Sequence, residues 1–194
     1  MTLAVDWPRK TRDGRKQATS TYYESFLKIL DDFNDFPVGY NLWKRLLSAT
    51  VHAAKFETPE SWKLVRVCCH ALLDCKTGFP ITRNILHIGL EAANRSKDTL
   101  LAADMICNAN LNKKNNGVVH IAPSTLLKLV TMCIENDDSQ SARRILESCI
   151  QAEFPSDIIR SLYSMVLTGF AQSGDLVNTE KMISDMNELK MDQR

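Results

Sequence analysis

No stretch of the 194 residues approaches the roughly 18–20 consecutive apolar positions that a membrane-spanning helix needs. Met1 to Asp6 is too short, and is interrupted too soon by an acid and by Trp7, to act as the apolar part of a secretory signal. Strand-like alternation of any length is missing, which argues against a sheet protein. The formal net charge is only +1, which excludes a histone-like polycation but leaves room for a local basic face. A disulfide framework is missing too. Cys68, Cys69, Cys75, Cys107, Cys133 and Cys149 sit inside apolar helical patterns, the usage expected of reduced, buried thiols in a reducing compartment. The formal glycosylation sequon Asn94-Arg95-Ser96 is set aside on the same ground.

What is present is ordinary for a folded chain: 44% hydrophobic and 24% charged residues, in a length suited to one domain of about 150–200 residues. The charge is uneven. From Glu135 to Arg194 there are six Lys and Arg against eleven Asp and Glu, a balance of −5, which leaves 18 basic and 12 acidic residues, or +6, for the rest. Such asymmetry suggests two surfaces with different partners. Arg9, Lys10, Arg12, Arg15 and Lys16 make residues 1–19 a basic tail. An organellar transit segment is one reading of it. Asp6, Asp13 and the lack of an apolar helical stripe count against that and favour a solvated or RNA-touching arm. Residues 20–194 then form a single helical-repeat domain.

The domain reads as a string of amphipathic helices. Thr21-Tyr22-Tyr23-Glu24 is a capping box, and Tyr23, Phe26, Leu27, Leu30 and Phe33 follow at helical spacing until Pro37 and Gly39. Trp43, Leu46, Leu47, Thr50 and Ala54 share a face of the next helix. Thr58-Pro59-Glu60 opens a third with a capping residue, a proline at the first helical position and an acid in the first turn; Trp62, Val65, Cys69 and Leu72 line one side of it. Helices from about Ile81 to Asn94 and Asp98 to Leu111 come next, then the polar loop Asn112 to Gly117. Pro123 opens a sixth helix to about Glu135. Asn136-Asp137-Asp138-Ser139 is a turn and cap for a seventh to about Ile150. Pro155-Ser156-Asp157 starts an eighth, and Ser173-Gly174-Asp175 turns into a ninth that ends near Lys190. Short gaps imply antiparallel neighbours.

A repeat is visible in this string. With a 37-residue offset, Val166 falls on Leu129, Leu167 on Val130, Phe170 on Cys133, Thr179 on Ala142, Ile183 on Leu146 and Met186 on Cys149. Ala102, Ile106 and Ala109 repeat the pattern once more at a period of about 40. Helix pairs at about 38–76, 80–111, 122–150 and 157–190 follow. One pair cannot bury its apolar side alone, but stacked pairs can, and Ala102 or Ala142 lets the second helix approach closely. The last helix, with Ile183 and Met186 on its outer side, is expected to meet a protein partner.

The final copy, Tyr163-Ser164-Met165-Val166-Leu167-Thr168-Gly169-Phe170, then Ser173-Gly174-Asp175-Leu176, then Thr179, Ile183 and Met186, resembles the pentatricopeptide repeat family. The resemblance is clearest over 161–191 and weaker over 124–152. It implies an all-α, right-handed α-α superhelix, a solenoid of about four pentatricopeptide- or tetratricopeptide-like repeats plus an N-terminal helix. It also implies a mitochondrial or plastid setting and single-stranded RNA as ligand. The position that reads a base in that family falls on Lys128 and Met165. Neither suits base-edge hydrogen bonding, and a lysine suits a phosphate better.

No constellation for chemistry accompanies the repeat. Cys68 and Cys75 share a helix face, but His70 points about 200° away, so packing outweighs zinc. Gly169 and Gly174 have phosphate-loop spacing, yet Asp175-Leu176 stands where a Lys-Ser/Thr pair belongs. His52, His87 and His120 are isolated. The chain is therefore read as no enzyme and as needing no cofactor or metal. The more useful site is a basic face: Lys44, Arg45, Lys63, Arg66, Arg83, Lys113, Lys114 and Lys128. Two functions stay open, a scaffold associated with RNA or a ribonucleoprotein in an organelle, or a protein-binding subunit of a large organellar complex with no RNA contact.

Overall fold

A computed structural model describes residues 48, 50–51, 53–55, 58–74, 82–111 and 121–188. The capping box at Thr21, the first helix, Lys44, Arg45, Cys75, Lys113 and Lys114 lie outside the described residues. Among the described residues there are seven helices and no strand. The chain divides into two compact units, Met1–Thr77 and Gly78–Arg194.

In the first unit, Ser48, Thr50, Val51, Ala53 and Ala54 are helical, and α1 spans Pro59–Asp74. Its start follows from residue chemistry. The Ser61 amide donates to Thr58 Oγ1 at 3.1 Å, and the Thr58 amide donates to Ser61 Oγ at 3.0 Å, so each hydroxyl satisfies an amide the helix leaves open. Pro59 supplies a fixed φ where no amide hydrogen is needed. Leu64, Val65, Cys68, Cys69 and Leu72 are buried, as is Ala53. Trp62, on the same expected stripe, is half-buried.

The second unit is built from three helix hairpins. These are α2 (Arg83–Ser96) with α3 (Thr99–Leu111), α4 (Pro123–Glu135) with α5 (Ser139–Gln151), and α6 (Ser156–Gln172) with α7 (Leu176–Glu188). The two helices of each hairpin pack together. Between hairpins, α3 packs on α5, α4 on α6 and α5 on α6, with a lighter contact of α3 on α4. This explains the composition of α3: Leu101, Ala102, Ala103, Met105, Ile106 and Ala109 are all buried, because the helix meets neighbours on several sides. Ala142 is likewise fully buried in α5.

The turn inside each hairpin is one structure made three times. Lys97 (φ 54°), Asp137 (φ 56°) and Gly174 (φ 73°) occupy the left-handed region, each just before an aspartate. The amides of Asp98, Asp138 and Asp175 then donate to Ala93, Cys133 and Phe170 carbonyls at 2.9, 2.9 and 3.0 Å, the long bond of a left-handed helix end. Each aspartate goes on to cap the second helix. Oδ1 of Asp98, Asp138 and Asp175 accepts from the amides of Leu101 (2.9 Å), Ser141 (2.9 Å) and Asn178 (3.1 Å). The spacings of these caps, 40 and 37, are the periods read in the sequence.

Candidate functional site

The predicted basic residues that are described divide by unit. Lys63 and Arg66 are exposed on α1 and three residues apart, which places them on one side of that helix. In the second unit Arg83 is exposed at the first residue of α2, and Lys128 is exposed on α4. Met165, the other position matched to base reading, is half-buried on α6 and offers no polar group. Arg160, exposed at the fifth residue of α6, was not singled out in the sequence. It stands 77 residues after Arg83, the sum of the two periods of 40 and 37, and its helix packs against the one bearing Lys128.

Around these cations the first helices expose small hydrogen-bonding side chains. Ser124, Thr131, Ser161, Ser164 and Thr168 are all exposed. Thr131 and Thr168, one period apart, make the same bond: each hydroxyl donates to the carbonyl four residues back, at 3.0 and 2.8 Å. The first helices thus carry hydroxyls and cations together with Glu91, which Arg95 holds at 2.6 Å, Glu135 and Asp157.

Other arginines are spent on holding hairpins together. Arg144 Nη2 lies 2.5 Å from Asp104 Oδ1 and so ties α5 back to α3. Arg143 reaches forward from α5. Its Nη1 donates to Asn178 Oδ1 at 3.1 Å, and its Nη2 stands 3.9 Å from Asp185 Oδ2, both on α7. Thr99 at the start of α3 donates its hydroxyl to Asp138 Oδ2 at 2.5 Å. Burial pushes the Asp138 carboxyl up. Hydrogen bonds from Thr99 and Ser141 and the charge of Arg144 outweigh that and hold it below its ordinary range.

Four of the described thiols are poor nucleophiles. Burial pushes Cys68, Cys69, Cys133 and Cys149 up to about 12, so each is a neutral packing group at physiological pH. Among the described residues no three of His, Cys, Asp and Glu converge as metal ligands, and His70 is half-buried beside the two buried cysteines. Gly169 and Gly174 form no phosphate cradle. Gly169 lies inside α6, where a Cβ would stand 2.9 Å from Ile134 Cγ1 and 3.0 Å from Ser139 Oγ; Gly174 is the left-handed turn residue. No described helix is long and apolar enough to cross a membrane.

On α7, Ile183 is 46% exposed and Met186 is half-buried. Leu176, absent from the expected partner-facing pair, is 70% exposed. Comparison of the chain with protein-family models, curated proteins and solved structures finds no match.

Proposed function

We propose that this protein is a non-catalytic helical-repeat scaffold of the pentatricopeptide-like kind, associated with RNA or a ribonucleoprotein inside an organelle. The observation that supports it best is the threefold turn: a left-handed residue, an aspartate cap and a second helix, recurring at spacings of 40 and 37. Repeated hairpins of this kind stack into a solenoid whose first helices form one row. Lys128 and Arg160 are exposed among hydroxyls on α4 and α6, two first helices that pack together, and Arg83 is exposed at the start of α2. Cations with neutral donors suit a phosphodiester backbone, and Met165 offers nothing to a base edge, so contact is to phosphate and sugar.

Binding of the whole chain to a single-stranded RNA of mixed sequence, measured against salt, tests this. The logarithm of affinity should fall linearly with that of salt, by about 0.7 per phosphate neutralised. Lys128→Glu with Arg160→Glu, and separately Lys63→Glu with Arg66→Glu, should weaken binding and flatten the slope. Affinity unchanged by both pairs at low salt refutes RNA contact. The reading that then stands, a purely protein-binding subunit, is favoured by the exposure of Leu176 and Ile183.

A further inference from the structure

Each first helix carries a hydrogen-bonding residue seven positions before the aspartate that caps its partner: Glu91 on α2, Thr131 on α4 and Thr168 on α6. The side chains differ, but they offer a ligand the same thing. The Thr131 hydroxyl donates its only proton to the Leu127 carbonyl at 3.0 Å, and the Thr168 hydroxyl donates its own to the Ser164 carbonyl at 2.8 Å, both in solvent-exposed bonds. A carbonyl can only accept, so the direction of these bonds is fixed by chemistry. What each threonine oxygen has left is the capacity to accept. An ionised carboxylate such as that of Glu91 also accepts and never donates. Ser161 on α6 is committed in the same way, to the Asp157 carbonyl at 2.9 Å.

A phosphate oxygen is itself an acceptor. It takes the exposed Lys128 and Arg160 as partners and gains nothing from Thr131, Ser161 or Thr168. Lys128 stands three residues before Thr131, and Arg160 two four-residue steps before Thr168, so each threonine lies on the same side of its helix as a cation. The two helices pack together. A strand that lays its phosphates on these cations must bring a hydrogen-bond donor alongside them. The N–H groups of bases change from one nucleotide to the next. The ribose 2′-hydroxyl is the donor that every RNA nucleotide carries, and DNA lacks it.

We infer that Thr131 and Thr168 accept the 2′-hydroxyl protons of a bound single strand, and so make this surface select RNA over DNA while Lys128 and Arg160 hold the phosphates. The inference rests on the RNA-binding function proposed above and sharpens it.

The test titrates the whole chain with an unstructured single-stranded RNA and with the same sequence carrying fluorine at every 2′ position. The fluorinated strand keeps the ribose pucker and the charge but has no proton to give. RNA should bind about tenfold more tightly, the worth of two neutral hydrogen bonds. Thr131→Val with Thr168→Val keeps the shape and removes both oxygens. It should bring the two strands to equal affinity by weakening RNA alone, with the salt dependence unchanged. Thr131→Ser with Thr168→Ser retains an oxygen that can make the same backbone bond, as Ser161 does, and should keep the preference. Lys128→Glu with Arg160→Glu should weaken both strands together. Equal binding of the two strands by the unaltered chain, or a preference that survives the valine pair, overturns the inference and leaves RNA binding standing. Failure of both strands to bind at low salt removes the function proposed above and this inference with it.

Discussion

The middle hairpin, α4–α5, and the last, α6–α7, are built by one local recipe and live in different surroundings. Both turn through a left-handed residue, both cap the second helix with an aspartate, and both bury the first helix through positions such as Cys133 and Phe170. They part at the second helix. In α5 Ala142, Ile145, Leu146 and Cys149 are all buried. In α7 Met182, the equivalent of Ile145, stays buried against the chain's own interior, while Ile183 is half open. Local sequence therefore makes the hairpin, and its neighbours decide which of its apolar groups contribute to stability.

The sharpest way to break this comparison is to shorten the same position in both hairpins. Leu146→Ala should cost about 2–5 kcal/mol, the transfer loss plus a cavity. Ile183→Ala should cost less than about 1 kcal/mol, because water already reaches that side chain. Urea midpoints of the two variants check the difference; equal losses would mean that α7 is as well covered as α5.

Gly169 is the next largest effect, because it sets the approach of the two hairpins. A methyl group there meets the branched Ile134 side chain at 2.9 Å, closer than carbon atoms tolerate. Gly169→Ala should destabilise by about 1–3 kcal/mol despite its better helix propensity. Ile134→Ala in the same chain should recover part of the loss, which separates crowding from any backbone effect.

The smallest effect compares the caps. Asp138→Ala should cost about 1–2 kcal/mol, because the carboxylate both caps α5 and accepts from Thr99 across the junction. Asp175→Ala removes a cap and the bond from Asn178 Nδ2 at 2.7 Å, both within its own turn, and should cost less. The Asp138 carboxyl is held below its ordinary value of 3.8, so its contribution is full above that pH and is lost as pH falls through the lower folded value. Acid titration of stability should therefore show a loss below about pH 4 that Asp138→Asn reduces.

Much of this was legible because it is local. Pro59 and Pro123 begin helices as their fixed φ requires, and Asp138 and Gly174 mark turns by residue type. The expected starts at Ile81 and Asp98 move to Arg83 and Thr99 because Thr82 and Asp98 stand outside as caps. Lys97 hid the first turn: lysine gives no hint of a left-handed backbone, so only the recurrence of aspartate at 98, 138 and 175 could have exposed it. The candidate surface was less legible. Met165 was placed by the family resemblance and Lys128 as its counterpart one period earlier, but nothing in the order Arg143-Arg144 says that one serves the helix behind and the other the helix ahead.

That adjacency has a consequence for how such a chain can vary. Successive side chains on an α-helix diverge by about 100°, so the two arginines are aimed by helical phase alone. Inserting or deleting one residue between Asp138 and Arg143 would swing both guanidinium groups off their carboxylates at once and unfasten α5 from α3 and α7 together.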